Sequence, residues 1–113
     1  MEAIAKANHA RFSSRKVNQV CGLIRGKSVA KAFDMLPHVP RACGILVFKT
    51  LKSAYANSGA SDPATIYVKE AWANIGPALK RVRPMAMGAR SIYKRKTCHL
   101  TIRVTDQQPK KKK

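Results

Sequence analysis

Cys98 and His99 stand side by side, and a thiol next to an imidazole is the raw material of a covalent nucleophile and its base. The surrounding pattern argues against that use. Residues 98–105, CHLTIRVT, alternate apolar and polar, the period of a half-buried strand, and neighbours on a strand point to opposite faces. The pair is thereby split, leaving neither a dyad nor a shared metal ion. The five acids Glu2, Asp34, Asp62, Glu70 and Asp106 lie in different segments, without a pair placed for acid–base work. His9 and His38 have no neighbouring ligands at metal spacing, and no glycine-rich phosphate loop occurs. The few aromatic residues are not grouped as a base-stacking platform. The residues predict no catalysis, no cofactor and no metal.

A different chemistry is concentrated in residues 80–96, KRVRPMAMGARSIYKRK: seven basic side chains, no acid, and a neutral centre from Pro84 to Ala89. Cations at this density point to phosphate, the alternative being a mobile basic loop that serves solubility. The whole chain is biased the same way, with 23 Lys and Arg against 5 Asp and Glu, a net +18 over 113 residues. Displacement of counterions from a nucleic acid drives association with such a chain. An anionic membrane is a poorer match, because the longest apolar run, Ala42 to Phe48, is far too short to span a bilayer. The N-terminal stretch MEAIAKANHARF is interrupted by charge where a signal peptide needs a continuous apolar region. Cys21, Cys43 and Cys98, odd in number and without C-x-x-C spacing, read as small core residues in a reducing compartment.

A second phosphate site is expected at Arg11, Arg15 and Lys16. They gather at the start of a helix, where the dipole disfavours cations unless an anion binds there with the free backbone N–H groups. Arg25 and Lys27, at the far end of that helix, either complement the dipole or contact phosphate in turn.

The elements that must position these residues follow from periodicity. Residues 3–11 read as a strand leading into a turn. Ser13 and Ser14 are N-cap candidates for a helix whose apolar positions Val17, Val20, Cys21 and Ile24 share one face, with Gly26 as its C-cap. Ser28 caps a second helix carrying Val29, Ala32, Phe33 and Leu36 inward, stopped by Pro37. A third runs from about Pro40 to Asn57, with Cys43, Val47, Thr50, Leu51 and Ala54 on its inner side. A half-buried strand is expected over 64–74, and residues 98–105 are its partner, with Cys98, Leu100, Ile102 and Val104 inward and His99, Thr101, Arg103 and Thr105 outward. The fold class is therefore α+β: a small three-stranded antiparallel sheet packed with three helices in one domain, residues 1–106. Gln107 to Lys113 reads as a disordered basic tail.

The basic stretch joins the two C-terminal strands and is too long for a structureless loop in a compact domain. A protruding β-hairpin over about 77–96, turning near Pro84 and Gly88, resolves this. Lys80, Arg81, Arg83, Arg90, Lys94, Arg95 and Lys96 would line its shaft and repel one another across the ladder. A two-stranded ribbon is marginal in water, so surrounding phosphates would have to complete it.

ARFSSRKVNQVCGLIRGKSV, residues 10–29, resembles the bacterial-type ribosomal protein L-twenty-two family in its serine, its Arg-Lys pair and its I-R-G-K segment. Ser53-Ala54-Tyr55-Ala56-Asn57 is similar to that family's third-helix ending, and Gly76-Pro77, Lys80-Arg81, Pro84, Gly88, Lys94-Arg95 and His99 to its hairpin landmarks. The resemblance spans Met1 to about Asp106. It implies a structural, non-catalytic component of the large ribosomal subunit. The twelve cations Arg11, Arg15, Lys16, Arg25, Lys27, Lys80, Arg81, Arg83, Arg90, Lys94, Arg95 and Lys96 would bind large-subunit ribosomal RNA. The tip, Pro84, Met85, Ala86, Met87, Gly88 and Ala89, would line the nascent polypeptide exit tunnel and bear on macrolide response. The implied partners are ribosomal RNA, neighbouring large-subunit proteins and the nascent chain, with no membrane and no homo-oligomer. Ser14 stands where the family often has proline, and Met85 and Met87 where bacterial members usually have basic residues. Arg41-Ala42-Cys43 and Thr97-Cys98-His99 look more like plastid versions, which favours the plastid stroma over a bacterial cytoplasm. The rival reading is a DNA-architectural protein whose basic β-arm enters the minor groove and bends the duplex with Pro84 as a wedge.

Overall fold

The computed structural model describes residues 2–106. The expected tail, residues 107–113, lies outside the described residues. Strand β1 (Glu2–Ala10) and strand β2 (Tyr67–Ile75) pair antiparallel with the two sides of a last strand, Cys98–Thr105, giving the α+β class read from the sequence. The intervening arm is a separate antiparallel ribbon of β3 (Leu79–Pro84) and β4 (Arg90–Arg95), which makes the central strand β5. Three helices, α1 (Ser14–Ile24), α2 (Val29–Met35) and α3 (Gly44–Ser58), complete the domain. α1 packs over β2, and α3 over β1 and β5.

Side-chain size explains how the helices fit. The outer strands present Ala3, Ala5, Ala71 and Ala73 to the core, while β5 presents Leu100, Ile102 and Val104. Small flanks and a bulky centre let α1 and α3 settle on either side of the β5 ridge. Val17, Val20, Cys21 and Ile24 meet them from α1, and Val47, Leu51 and Ala54 from α3, all buried as their periodicity requires. Ser28 accepts a hydrogen bond from the Lys31 N–H at 3.3 Å, and Gly59, at φ 71°, ends α3 in the left-handed conformation.

Four boundaries and faces differ from the sequence reading. α3 begins at Gly44, because Arg41 to Cys43 are spent in a turn closed by the Gly44 N–H on the Arg41 carbonyl. β2 begins at Tyr67. Asp62 holds residues 63–65 in a 3-10 turn by accepting the Ala64 N–H at 2.9 Å, and its carbonyl takes the Thr65 hydroxyl. α1 is capped by Arg25, while Gly26 sends its N–H to the Val68 carbonyl and ties the helix end to β2. Thr101 and Thr105 are outward yet buried: β5 is the central strand, and longer neighbours in register, Lys6 and Trp72 beside Thr101 and Tyr67 beside Thr105, close over them. A register shift between Val68 and Glu70 explains why Lys69 and Glu70 are both exposed, and it delivers Glu70 to Arg103 at 3.1 Å.

The hairpin extends the β2–β5 pair, and the molecule measures 61 × 26 × 23 Å along its principal axes. At its base the Gly76 N–H reaches the Thr97 carbonyl at 3.0 Å, and the Thr97 hydroxyl donates to the Pro77 carbonyl. A Cβ at position 76 would lie 2.7 Å from that hydroxyl oxygen. Gly76→Ala must therefore displace Thr97 and break its bond to Pro77. The expected cost is about 1–2 kcal/mol. Denaturant unfolding measures it, with faster amide exchange at the hairpin base as the local signature.

Candidate nucleic-acid interface

Strand register sorts the shaft residues onto two faces. The pairs Lys80–Lys94, Val82–Ile92 and Pro84–Arg90 occupy one face, and Leu79–Arg95, Arg81–Tyr93 and Arg83–Ser91 the other. On the second face the guanidiniums of Arg83 and Arg95 lie 5.0 and 5.1 Å from the centroid of the Tyr93 ring. The ring separates two like charges and favours both, at about 0.5–1 kcal/mol each for exposed pairs. On the first face Lys80 and Lys94 are directly opposed with nothing between them in register, the repulsion anticipated for the arm. Every residue of β3 and β4 is exposed except the half-buried Tyr93.

The tip is a tight turn. The Met85 N–H donates to the Ala89 carbonyl at 2.7 Å, and Met87 and Gly88 both take positive φ, 60° and 73°. Left-handed backbone costs a residue with a Cβ roughly 1 kcal/mol, so Met87 is held there by the turn on either side of it. Its side chain is fully exposed.

The start of α1 and the return of the hairpin come together in space. Arg11, Phe12, Ser13 and Lys16 from the one, and Lys94, Arg95 and Lys96 from the other, surround a cleft of about 450 Å³. Five of these seven are cations and none is an acid. Ser13 is the N-cap residue of α1, but its side chain makes no capping hydrogen bond, and the first turn contains no acid. First-turn N–H groups of a helix have no intrahelical acceptor, so backbone donors, the dipole and five cations all favour an anion here.

The other predicted cations are placed apart. Arg15 is exposed on the first turn of α1 and does not line the cleft. At the far end of that helix, Arg25 donates from Nε to the Ala71 carbonyl at 2.7 Å, and Lys27 Nζ lies 3.5 Å from Met35 Sδ. Both remain exposed but are tied to the domain's own surface. The sequence reading missed Tyr93 and Phe12. The signal for Tyr93 was an aromatic residue two positions before Arg95 in a basic strand, and that for Phe12 was its place between Arg11 and the N-cap serine.

The thiol and imidazole are separated as strand geometry requires. Cys98 is buried in the core, and burial pushes its thiol above the ordinary range. His99 faces outward, where its Nδ1 accepts the His9 N–H at 3.1 Å. Cys21 is pushed up to about 11 by burial, and all three cysteines are free and buried. Of the acids, Glu2 pairs with Lys69, Glu70 with Arg103, and Asp62 holds a turn. Among the described residues no group of three or more His, Cys, Asp or Glu could hold a metal ion, and no helix is long and apolar enough to cross a membrane.

A family model described as ribosomal protein L22p/L17e matches residues 5–105, which contain both the cleft and the hairpin. The chain belongs to that family. A large ribosomal subunit protein uL22 from Endomicrobium trichonymphae is 49% identical over 107 residues, covering 94% of this chain and 93% of the relative. A protein of the same name from Clostridium tetani (strain Massachusetts / E88) is 42% identical over 111 residues, 96% of this chain and 100% of its own length. One from Latilactobacillus sakei is 44% identical over 109 residues, 94% of this chain and 93% of the relative. The L22p/L17e match embraces the domain and the arm together, so the extended hairpin is part of what this chain shares with the family.

In this L22p/L17e chain Tyr93 is a positioning residue for Arg83 and Arg95. Tyr93→Ala is expected to weaken RNA binding about three- to tenfold by releasing two guanidiniums from an ordered stack. Tyr93→Phe, which keeps the ring, should bind as the parent does. Filter-binding titration of both variants distinguishes loss of the stack from loss of the phenol.

Proposed function

We propose that this chain is a structural component of the large subunit of a bacterial-type ribosome, binding and organising ribosomal RNA without catalysis. The cleft carries the proposal: five cations from segments about eighty residues apart converge on a helix start whose N-cap makes no side-chain hydrogen bond and whose first turn has no acid. A phosphate in that cleft would hold the hairpin against the domain. Nucleotides on either side would then run along a shaft whose one face is lined by Arg81, Arg83 and Arg95 and whose other carries Lys80, Lys94 and Arg90. Arg15, Arg25 and Lys27 add exposed cations to the same domain.

The tip, Pro84 to Ala89, is neutral and exposed, and it forms the turn between the two strands of the arm. We assign it to the wall of the exit tunnel, where a nascent polypeptide passes, with residues 82–90 as the segment that bears on macrolide response. Neighbouring large-subunit proteins are further partners, and the chain acts as a single copy. Its setting is a bacterial cytoplasm or an organelle. The plastid-like segments at 41–43 and 97–99 favour the stroma, and the bacterial relatives named above fit either setting. The decisive test is competition at equal salt between a folded fragment of large-subunit ribosomal RNA and duplex DNA of matched length. Preference for the folded RNA is expected, and preference for the duplex would transfer the reading to DNA bending.

A further inference from the structure

A second surface has the opposite chemistry to the cleft. Between the turn that follows α2 and the first turns of α3 lies a groove of about 510 Å³, floored by Leu36, Val39, Ile45 and Phe48. Ile45 is 66% exposed on that floor, and Leu36 anchors its inner wall in the core. Arg41, Lys49 and Lys52 line its edges, and no acid does.

We propose that this groove docks an acidic amphipathic segment of another protein, one presenting two large apolar side chains a helical turn apart among Asp and Glu. An apolar floor supplies no donors to a sugar–phosphate backbone, whereas it rewards burial of Leu- or Phe-sized groups. Its volume lies in the range of ligand-sized pockets and exceeds what one side chain fills. The three edge cations select the sign of the flanking charges, steering an acidic segment in and turning basic segments away. None of the groove's residues belongs to the cleft or the shaft, so the inference stands apart from the RNA-binding reading.

The test titrates the full chain, labelled for amide NMR, with a synthetic acidic helix peptide carrying Leu and Phe one turn apart among glutamates. The amides of Leu36, Val39, Ile45 and Phe48 should shift together. Replacing both apolar residues of the peptide by serine, or Ile45→Asp in the protein, should each weaken binding about tenfold or more, the cost of losing a central anchor. Because Ile45 is exposed, its replacement should leave the unfolding midpoint unchanged. Lys49→Glu with Lys52→Glu should weaken the acidic peptide and favour its lysine counterpart. Shifts confined to the hairpin, or equal binding of the serine peptide, would reduce the effect to net charge and overturn the proposal. Stronger shifts of the groove amides with a uridine decamer than with the peptide would overturn it in favour of a nucleic-acid surface.

Discussion

Reversing three charges at the hairpin's return, Lys94→Glu with Arg95→Glu and Lys96→Glu, should lower affinity for ribosomal RNA by about three orders of magnitude near physiological salt. All three line the cleft, and Lys94 and Arg95 also belong to the shaft, so the variant weakens both. Each lost phosphate contact removes roughly 0.9 from the slope of log affinity against log salt. A parent slope near −7, for about eight contacts, should therefore flatten toward about −4.

Stability is expected to move the other way. In the free chain Lys94 opposes Lys80 directly, and an acid at 94 turns that repulsion into a cross-strand ion pair. All three positions are exposed, so no core contact is lost. Loss of the Arg95 contact with Tyr93 offsets part of the gain. A variant that binds RNA far more weakly while unfolding no earlier than the parent is the signature of residues selected for a partner. An unfolding midpoint that falls in step with affinity would mean that these side chains hold the fold.

The largest effect on stability is expected at Leu51. It is fully buried on α3, which packs on β5 and on β1, whose core-facing Ala3 and Ala5 have little freedom to fill a hole. Leu51→Ala should cost about 2–5 kcal/mol, from lost burial and the cavity left behind. A domain of this size has roughly 5–15 kcal/mol in all, and self-repulsion at net +18 places this one toward the lower end at low salt. The variant should be largely unfolded at low salt and recover with added RNA, because a ligand that binds only the folded state shifts the equilibrium by mass action. Urea titrations with and without the RNA fragment read both effects. Removal of the exposed Ile45 side chain in the same helix should change little.

The parts of this molecule legible in the sequence are those governed by local rules. The inner face of α1, the Ser28 cap and the period of two in β5 each depend on residues a few positions apart. What escaped depended on where elements meet. Thr101 and Thr105 alternate as outward residues should, yet the place of β5 between two strands buries them, and no local pattern encodes which strand is central. Pro40 is compatible with a helix start, but the reversal between α2 and α3 consumes the residues up to Cys43. Ala64 and Thr65 have strand-like neighbours, but the Asp62 side chain competes for their backbone and wins the turn.

The interface shows the same division. Both clusters of cations were evident, at 11–16 and at 80–96, each from its own composition. Their convergence on one cleft was not, because it requires β1 to end beside Cys98, at the start of β5, just after β4 ends at Arg95. The Tyr93 stack depends on hairpin register, which places Arg83 diagonally across from the ring and Arg95 beyond it on the same face. The arm and its extent follow from the length and composition of the segment between β2 and β5, and the register supplied its two faces.

RNA along its shaft is what we propose holds the basic hairpin. A photoactivatable amino acid at position 81, incorporated into assembled large subunits and irradiated, tests it directly. Cross-links to ribosomal RNA are expected, diminished when Lys94, Arg95 and Lys96 are reversed. Cross-links confined to the chain's own domain, with none to RNA in the assembled particle, would contradict it.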